Sequence, residues 1–429
     1  MAQTKTKGRG FSSFVNEKMT VGKGSRQLLI TSQNNHHFFS HDKGVICTRK
    51  KRSLPRMLNR RTIRIKIMQS LFAFDQCKEA NNQLAHDFID ETFQPDLNSM
   101  EVQNKELLKA QRKTARLLLD ARFKEKEIKE TDASIVKAVD QAMETYHKQV
   151  KKDQLFLGKN TVIEIQKLTD TYHQVLGLLV ALAEAGASDK KTVHGYVLQQ
   201  PLWQSLLNHP ELKKEWIRQG GWDGKMDIVR AWFREIVKED ETYLRFIEEK
   251  TRTDEEQKAF AKYLVRKVIF GNNSINDYFD EQDIRWAEDK AIIRSLTEKT
   301  LKSYADGKLD LQKVSLDWDD DQVFIEKLFK ATIELPHEYK DLIAKNTKNW
   351  EVDRLPLTDR VILEMAIAEM VNFSGIPVKV TINEYIELAK EYSTPKSRQF
   401  INGILDVISK KMKESGDIKK SGKGLLDNK

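Results

Sequence analysis

Apolar residues first fall into register at residue 63. Ile63, Ile67, Leu71 and Phe74 recur at helical spacing, and Met68 and Phe72 widen the stripe. The pattern predicts a first helix over residues 57–78, with Asn59 available to cap its N-terminus. Amphipathic segments then continue through residue 312. Ile165, Leu168, Tyr172, Val175, Leu179 and Ala183 form one stripe; Phe260, Tyr263, Leu264 and Val268 form another. The period-two alternation of a half-buried strand is scarce. Trp203, Trp216, Trp222, Trp232 and Trp286 all fall in this region. Such rings can stack on bases, but their place in helical stripes favours core packing.

The last hundred residues carry the sharpest punctuation. Asp317, Asp319, Asp320 and Asp321 precede a helix bearing Val323, Phe324, Leu328 and Ile333. Acids at a helix start complement its dipole and require no metal. Thr358 is placed to cap the next helix, with Asp359 in its first turn. Val361, Ile362, Leu363, Met365, Ile367, Met370 and Val371 then cover nearly every face, which predicts the buried centre of a bundle. Two starts are open for the following helix: a capping box of Thr381 and Glu384, or an earlier start with Pro377 as first residue. Ser393 or Thr394 caps the last helix, with Pro395 at its first position. Ile401, Leu405 and Ile408 read as core. Gly403 costs about 1 kcal/mol relative to Ala inside a helix, which predicts close approach of a neighbour.

Charge is uneven. The 429-residue chain carries a formal +9, but residues 1–56 hold twelve bases and two acids, so the rest is near neutral at −1. A globally basic coat is excluded, and any anion site must be local. Residues 1–56 show no apolar period and contain the run Arg49-Lys50-Lys51-Arg52. They read as a phosphate-binding arm, as a disordered extension, or as sequence upstream of a true start at Met57. Residues 413–429 read as a basic disordered tail. One local anomaly stands out: Arg60, Arg61, Arg64 and Lys66 occupy the first two turns of the first helix, where the dipole favours acids. Either an external anion compensates them or they form a solvated face.

Chemistry-bearing motifs are missing. No Gly-rich phosphate loop or nucleophile elbow is present. Two cysteines, Cys47 and Cys77, exclude a disulfide framework and a Cys-rich zinc site, and fit a reducing cytosol. His36, His37 and His41 lie in the unpatterned extension without a further ligand. The greasiest stretch, Val175 to Ala187, is interrupted by Glu184 and falls short of the ~20 residues that span a bilayer. A cytoplasmic, non-enzymatic binding protein is expected, with no cofactor, no metal and no membrane partner.

Three stretches carry a resemblance. Residues 59–74, NRRTIRIKIMQSLFAF, resemble the first helix of NusB-type transcription antitermination proteins. Residues 379–406, KVTINEYIELAKEYSTPKSRQFINGILD, are similar to that family's C-terminal signature. Phe324 to Trp350, then Arg354, Leu355, Asp359, Arg360, Val361, Ile362 and Leu363, match its middle helices. Glu364 departs from the family by standing where many members carry a base, and Lys396 where an acid is common.

The resemblance implies an all-α, NusB-like helical bundle. It would comprise residues 57–78 and 313–412, interrupted by an all-helical insertion over 79–312. It also implies binding of single-stranded boxA-type RNA from ribosomal RNA leaders. The implied partners are a small-subunit ribosomal protein, called NusE in its transcription role, and the transcribing RNA polymerase complex. The RNA-contacting positions would be Arg60, Arg61, Arg64 and Lys66 in the first helix, Asp359 and Arg360 in the central helix, and Gln399 and Phe400 in the last. Guanidinium suits phosphate because it pairs bidentately and stacks on bases. Phe400 reads either as core or as a stacking platform. Two other functions remain open: a ribosome-assembly or polymerase-docking scaffold built on the insertion, and a domain accessory to an rRNA-modifying enzyme. The second requires an adenosylmethionine loop that the pattern lacks.

Overall fold

The computed structural model describes residues 60–96, 98, 102–347 and 355–428, all within the unit Ser53–Lys429. The basic arm, the Met57 start, the Asn59 cap, Cys47, the three clustered histidines, Trp350 and Arg354 lie outside the described residues. Among those described, the regular elements are helices, sixteen of them α-helical, and no strand is present.

The first helix, α1 (Arg60–Thr92), runs 33 residues and passes the expected end at 78 without a break. After α2 (Lys105–Phe123), it is met by α3 (Ala133–Ala187), a helix of 55 residues and about 80 Å. The two run antiparallel: Asn81 donates to Asp153 at 2.7 Å, and Thr161 to Ser70 at 2.8 Å. At their far end α2 completes a small separate core of Ile89, Leu118, Leu119, Ile135 and Val139.

Beyond Thr161, α3 becomes the axis of a large helical region. Around it pack α4 (Tyr196–Gln199), α5 (Pro201–Asn208), α6 (Pro210–Gln219), α7 (Met226–Trp232), α8 (Glu241–Ile247), α9 (Asp254–Tyr263), α10 (Asn273–Gln282) and α11 (Trp286–Ser303). The predicted stripe from Ile165 to Ala183 is buried, and so are Trp203, Trp222, Trp232 and Trp286. Trp216 is half-buried against the same core. Gly177 explains how two indoles reach the α3 backbone: a Cβ there would sit 2.9 Å from Trp216 Nε1 and 3.2 Å from Trp222 Cδ1. The indoles donate to the carbonyls of His173 and Gln174, each at 2.9 Å.

The chain then forms α12 (Trp318–Ile333), α13 (His337–Asn346), α14 (Leu357–Asn372), α15 (Val378–Tyr392) and α16 (Pro395–Glu414). α14 is the buried centre, with Val361, Ile362, Leu363, Met365, Ile367 and Met370 all inside. Its core is continuous with that around α3, so the helices packed on α3 and the C-terminal helices share one apolar interior. Ile401, Leu405 and Ile408 are buried as expected.

Several local expectations are corrected or resolved. α14 starts at Leu357 with Pro356 as its cap, so Thr358 lies inside the helix. α15 starts at Val378 with Pro377 in the cap position, and Thr381 and Glu384 are used elsewhere. Thr394, not Ser393, caps α16 by accepting from the Ser397 amide at 3.1 Å. Gly403 admits no close neighbour: nothing lies within 4 Å of where its Cβ would be. After α16 the tail folds back rather than leaving the surface, and the Ser421 amide donates to the Ser374 carbonyl at 3.1 Å.

Candidate nucleic-acid interface

The anomaly of a basic first turn is settled inside the chain, by carboxylates brought from three other helices. Arg60 pairs with Asp320 and, at 3.0 Å, with Asp321 in the first turn of α12, and its guanidinium lies 4.1 Å over the Phe324 ring. Arg61 grips Glu384 of α15 through Nε and Nη2, both at 2.9 Å. Arg64 grips Glu369 of α14 through Nε at 2.7 Å and Nη2 at 2.8 Å.

The three pairs differ in burial, and burial decides what each can do. Arg64 is 2% exposed and Glu369 0%. Glu369 also accepts from the Thr381 hydroxyl at 2.9 Å and the Tyr385 hydroxyl at 3.1 Å, so four donors converge on one carboxylate. Burial works against the Arg64 charge, but the bonds and charge of Glu369 outweigh it and hold that pKa above its ordinary value. Burial, and then the Glu369 charge, push the Tyr385 hydroxyl well above its own. This network clamps the start of α1 onto α14 and α15. Arg60 and Arg61 keep part of their side chains in solvent. Lys66 is buried, with Nζ 2.8 Å from Asp289 of α11. Burial raises the Asp289 carboxyl against the pull of Lys66.

Two grooves meet at this helix start. The larger, about 1080 Å³, runs between the first turn of α1, α12, the turn from Asn372 to Pro377 and the C-terminal tail. It carries Arg60, Arg61, Arg64, Lys327 and Lys423 against Asp320 and Glu384, over an apolar floor that includes Phe373 and Ile376. The second, about 730 Å³, lies between α15 and α16. There Arg61 is joined by Lys390, Arg398, Gln399 and Asn402, with Glu387 as the acid.

The structure therefore brings Arg60, Arg61 and Gln399 to connected open surfaces and places Arg64 and Lys66 beneath them. Asp359 is buried and accepts from the Ser393 hydroxyl, joining α14 to the turn before α16. Arg360 is exposed but turns to α1, pairing with Asp75 at 3.0 Å beside a small pocket with Lys78, Lys340 and Glu364. Phe400 is half-buried against the main core. Sequence reasoning missed Glu369, Glu384, Lys327, Arg398 and Lys423. Glu369 alone had a signal: it is a carboxylate inside an otherwise apolar, all-round buried helix, a position that demands partners. Among the described residues no group of three His, Cys, Asp or Glu is arranged to hold a metal, and no helix is long and apolar enough to cross a membrane.

Fold and site together define an all-α protein whose one helix start, clamped by buried ion pairs, presents cations to two grooves. Residues 285–410 match the model of the NusB family, so the chain carries a NusB-family domain. The transcription antitermination protein NusB of Chloroherpeton thalassium is 49% identical over 85 residues, 20% of this chain and 40% of that protein. Its namesake in Salinibacter ruber is 42% identical over 89 residues, 21% of this chain and 56% of that one. The Dictyoglomus turgidum protein of the same name is 47% identical over 93 residues, 21% of this chain and 62% of that one. The chain thus spans about two fifths to three fifths of these relatives, and residues 1–284, which include α1 and its arginines, lie outside the family match.

Proposed function

We propose that this chain is a non-enzymatic, RNA-binding transcription antitermination factor. It acts on boxA-type sequences in ribosomal RNA leaders, with the small-subunit ribosomal protein NusE and the transcribing polymerase complex. The observation that carries this reading is the convergence of two cation-lined grooves on Arg61, one holding Arg60 and Lys327, the other Arg398 and Gln399. Such an arrangement suits a single strand, whose phosphates pair with guanidinium while its bases meet amide and apolar groups. The names of the relatives support the process. In this assignment Arg60, Arg61, Gln399 and the exposed edge of Phe400 touch RNA, while Arg64, Lys66 and Asp359 position the helices that present them.

The test is binding of a leader oligoribonucleotide to Arg60→Ala/Arg61→Ala, with and without the ribosomal protein. Arg64 stays unchanged, because its loss would strand Glu369. Losing two phosphate contacts should weaken binding at least tenfold and flatten the salt dependence by about 1.4 in log–log slope, at ~0.7 per phosphate. Unchanged affinity and slope would refute the assignment. A scaffold role for the inserted region has one observation in its favour: Leu155, Phe156 and Ile163 of α3 are exposed. Phe156→Asp would abolish partner capture, but not RNA binding, if that role holds.

A further inference from the structure

The C-terminal tail lies beyond the residues matched to the family and is seated with unusual specificity. Past α16 the chain reverses at Gly416, φ +81°. Lys420 Nζ then donates to the Phe373 carbonyl at 2.9 Å, and the Ser421 amide to the Ser374 carbonyl at 3.1 Å. Gly422 follows at φ +52°, a conformation that favours glycine. Gly424 presses so closely on the same turn that a Cβ would stand 2.0 Å from the Ser374 oxygen. Two glycines and two backbone acceptors thus fix residues 420–424 against the Asn372–Pro377 turn. The docked tail puts Lys423 and Leu426 on the wall of the larger groove. Lys423 has no carboxylate or hydrogen-bond partner among the described residues, unlike Arg60 and Arg61 in the same groove.

We propose that this tail is a built wall of the RNA groove and that Lys423 contacts a phosphate of the bound strand. The inference rests on the RNA-binding reading above and extends it to a segment outside the family match. With no carboxylate to displace among the described residues, this ammonium is the better starting point for a phosphate contact. The apolar Leu426 beside it suits the face of a base.

The experiment uses the full chain and a fluorescently labelled single-stranded leader oligoribonucleotide, titrated at several salt concentrations. Lys423→Glu should weaken binding about fivefold or more, the scale of one exposed charge-assisted contact, and flatten the log–log slope by about 0.7. Gly424→Ala keeps every charge but unseats the tail, and should weaken binding similarly with helicity unchanged. Lys419→Glu, outside the groove, should bind as wild type. If Lys423→Glu and Gly424→Ala bind as wild type while Arg60→Ala/Arg61→Ala loses binding, the tail proposal fails and the RNA-binding reading stands. Tighter binding by Gly424→Ala would mean the tail blocks the groove, which also overturns the proposal. If the arginine variant itself binds normally, the underlying reading is what fails.

Discussion

Glu369→Gln removes one charge from the network that seats the candidate site. In the wild type four hydrogen bonds from Arg64, Thr381 and Tyr385 converge on the two carboxylate oxygens. A glutamine offers one acceptor oxygen and turns an NH₂ toward the other two donors. Arg64, 2% exposed, then keeps a buried charge with one neutral acceptor and no carboxylate at bonding distance; Glu384 stands 3.8 Å away. Breaking a buried pair from one side costs about 3–5 kcal/mol, a large share of the 5–15 kcal/mol that typically separates folded from unfolded chains. Urea denaturation followed by circular dichroism should show a lower midpoint at unchanged slope. Arg64→Met should be comparably damaging. The double variant Arg64→Met/Glu369→Gln removes both charges and leaves the glutamine oxygen for Thr381 or Tyr385. Its loss should therefore fall at least ~2 kcal/mol short of the sum of the singles. A loss below 1 kcal/mol for Glu369→Gln, or strict additivity in the cycle, would refute the claim that this pair clamps α1.

Asp320→Asn/Asp321→Asn frees the Arg60 guanidinium while leaving Asp317 to cap α12. Exposed pairs of this kind are worth up to about 1 kcal/mol, so RNA affinity should rise a few-fold at low salt and the gain should fade at high salt; lower affinity would contradict it. Glu364→Gln addresses a carboxyl whose pKa is raised by burial, despite Lys340 and Arg360 nearby. A folded-state pKa above the unfolded value gives stability that is present below the unfolded pKa, about 4.3, and lost as pH rises through the folded one. The amide, always neutral, should melt higher than wild type at pH 7 and equally near pH 4, and a lower melting temperature at pH 7 would sink this. Gly177→Ala forces a Cβ to 2.9 Å from Trp216 Nε1, so overpacking should cost about 1–3 kcal/mol and shift tryptophan emission; an unperturbed spectrum and midpoint would show that the indoles yield freely.

What could be read from the chain alone followed the range of the interactions concerned. α14 was legible because a helix buried on every face must be apolar on every face. The α16 cap was legible because Thr394 and Pro395 act within one turn. The first helix was legible as a stripe but not in length. Beyond Phe74 it packs mainly on α2 and α3, and its apolar side thins to Ala85 and Ile89, too sparse a period to extend a prediction. The candidate site was half legible. Arginines in the first turn were visible, but their partners stand 260 to 323 residues away, and no local pattern brings Asp320, Glu369 or Glu384 to them. Gly403 misled for a physical reason: glycine costs the same in a helix whether a neighbour fills the space or solvent does.

The long helical region before the family domain changes how the site is held. α1 is the element that carries the arginines, and two bodies of helices compete to place it. From one side α14 and α15 clamp Arg64 and Arg61. From the other, α3 lines its length and α11 anchors Lys66 through Asp289. Ile63, Ile67, Met68 and Leu71 lie in a core shared by both sides. Residues 79–312 are therefore not an appendage that can be cut away. Deleting them would expose the α3-facing stripe of α1 and leave Lys66 unpaired while the sequence of the grooves stayed intact. A loss of RNA binding after such a deletion would report a displaced helix rather than a lost contact. The role of this helical region is better asked by surface substitutions such as Phe156→Asp, which leave that shared core in place.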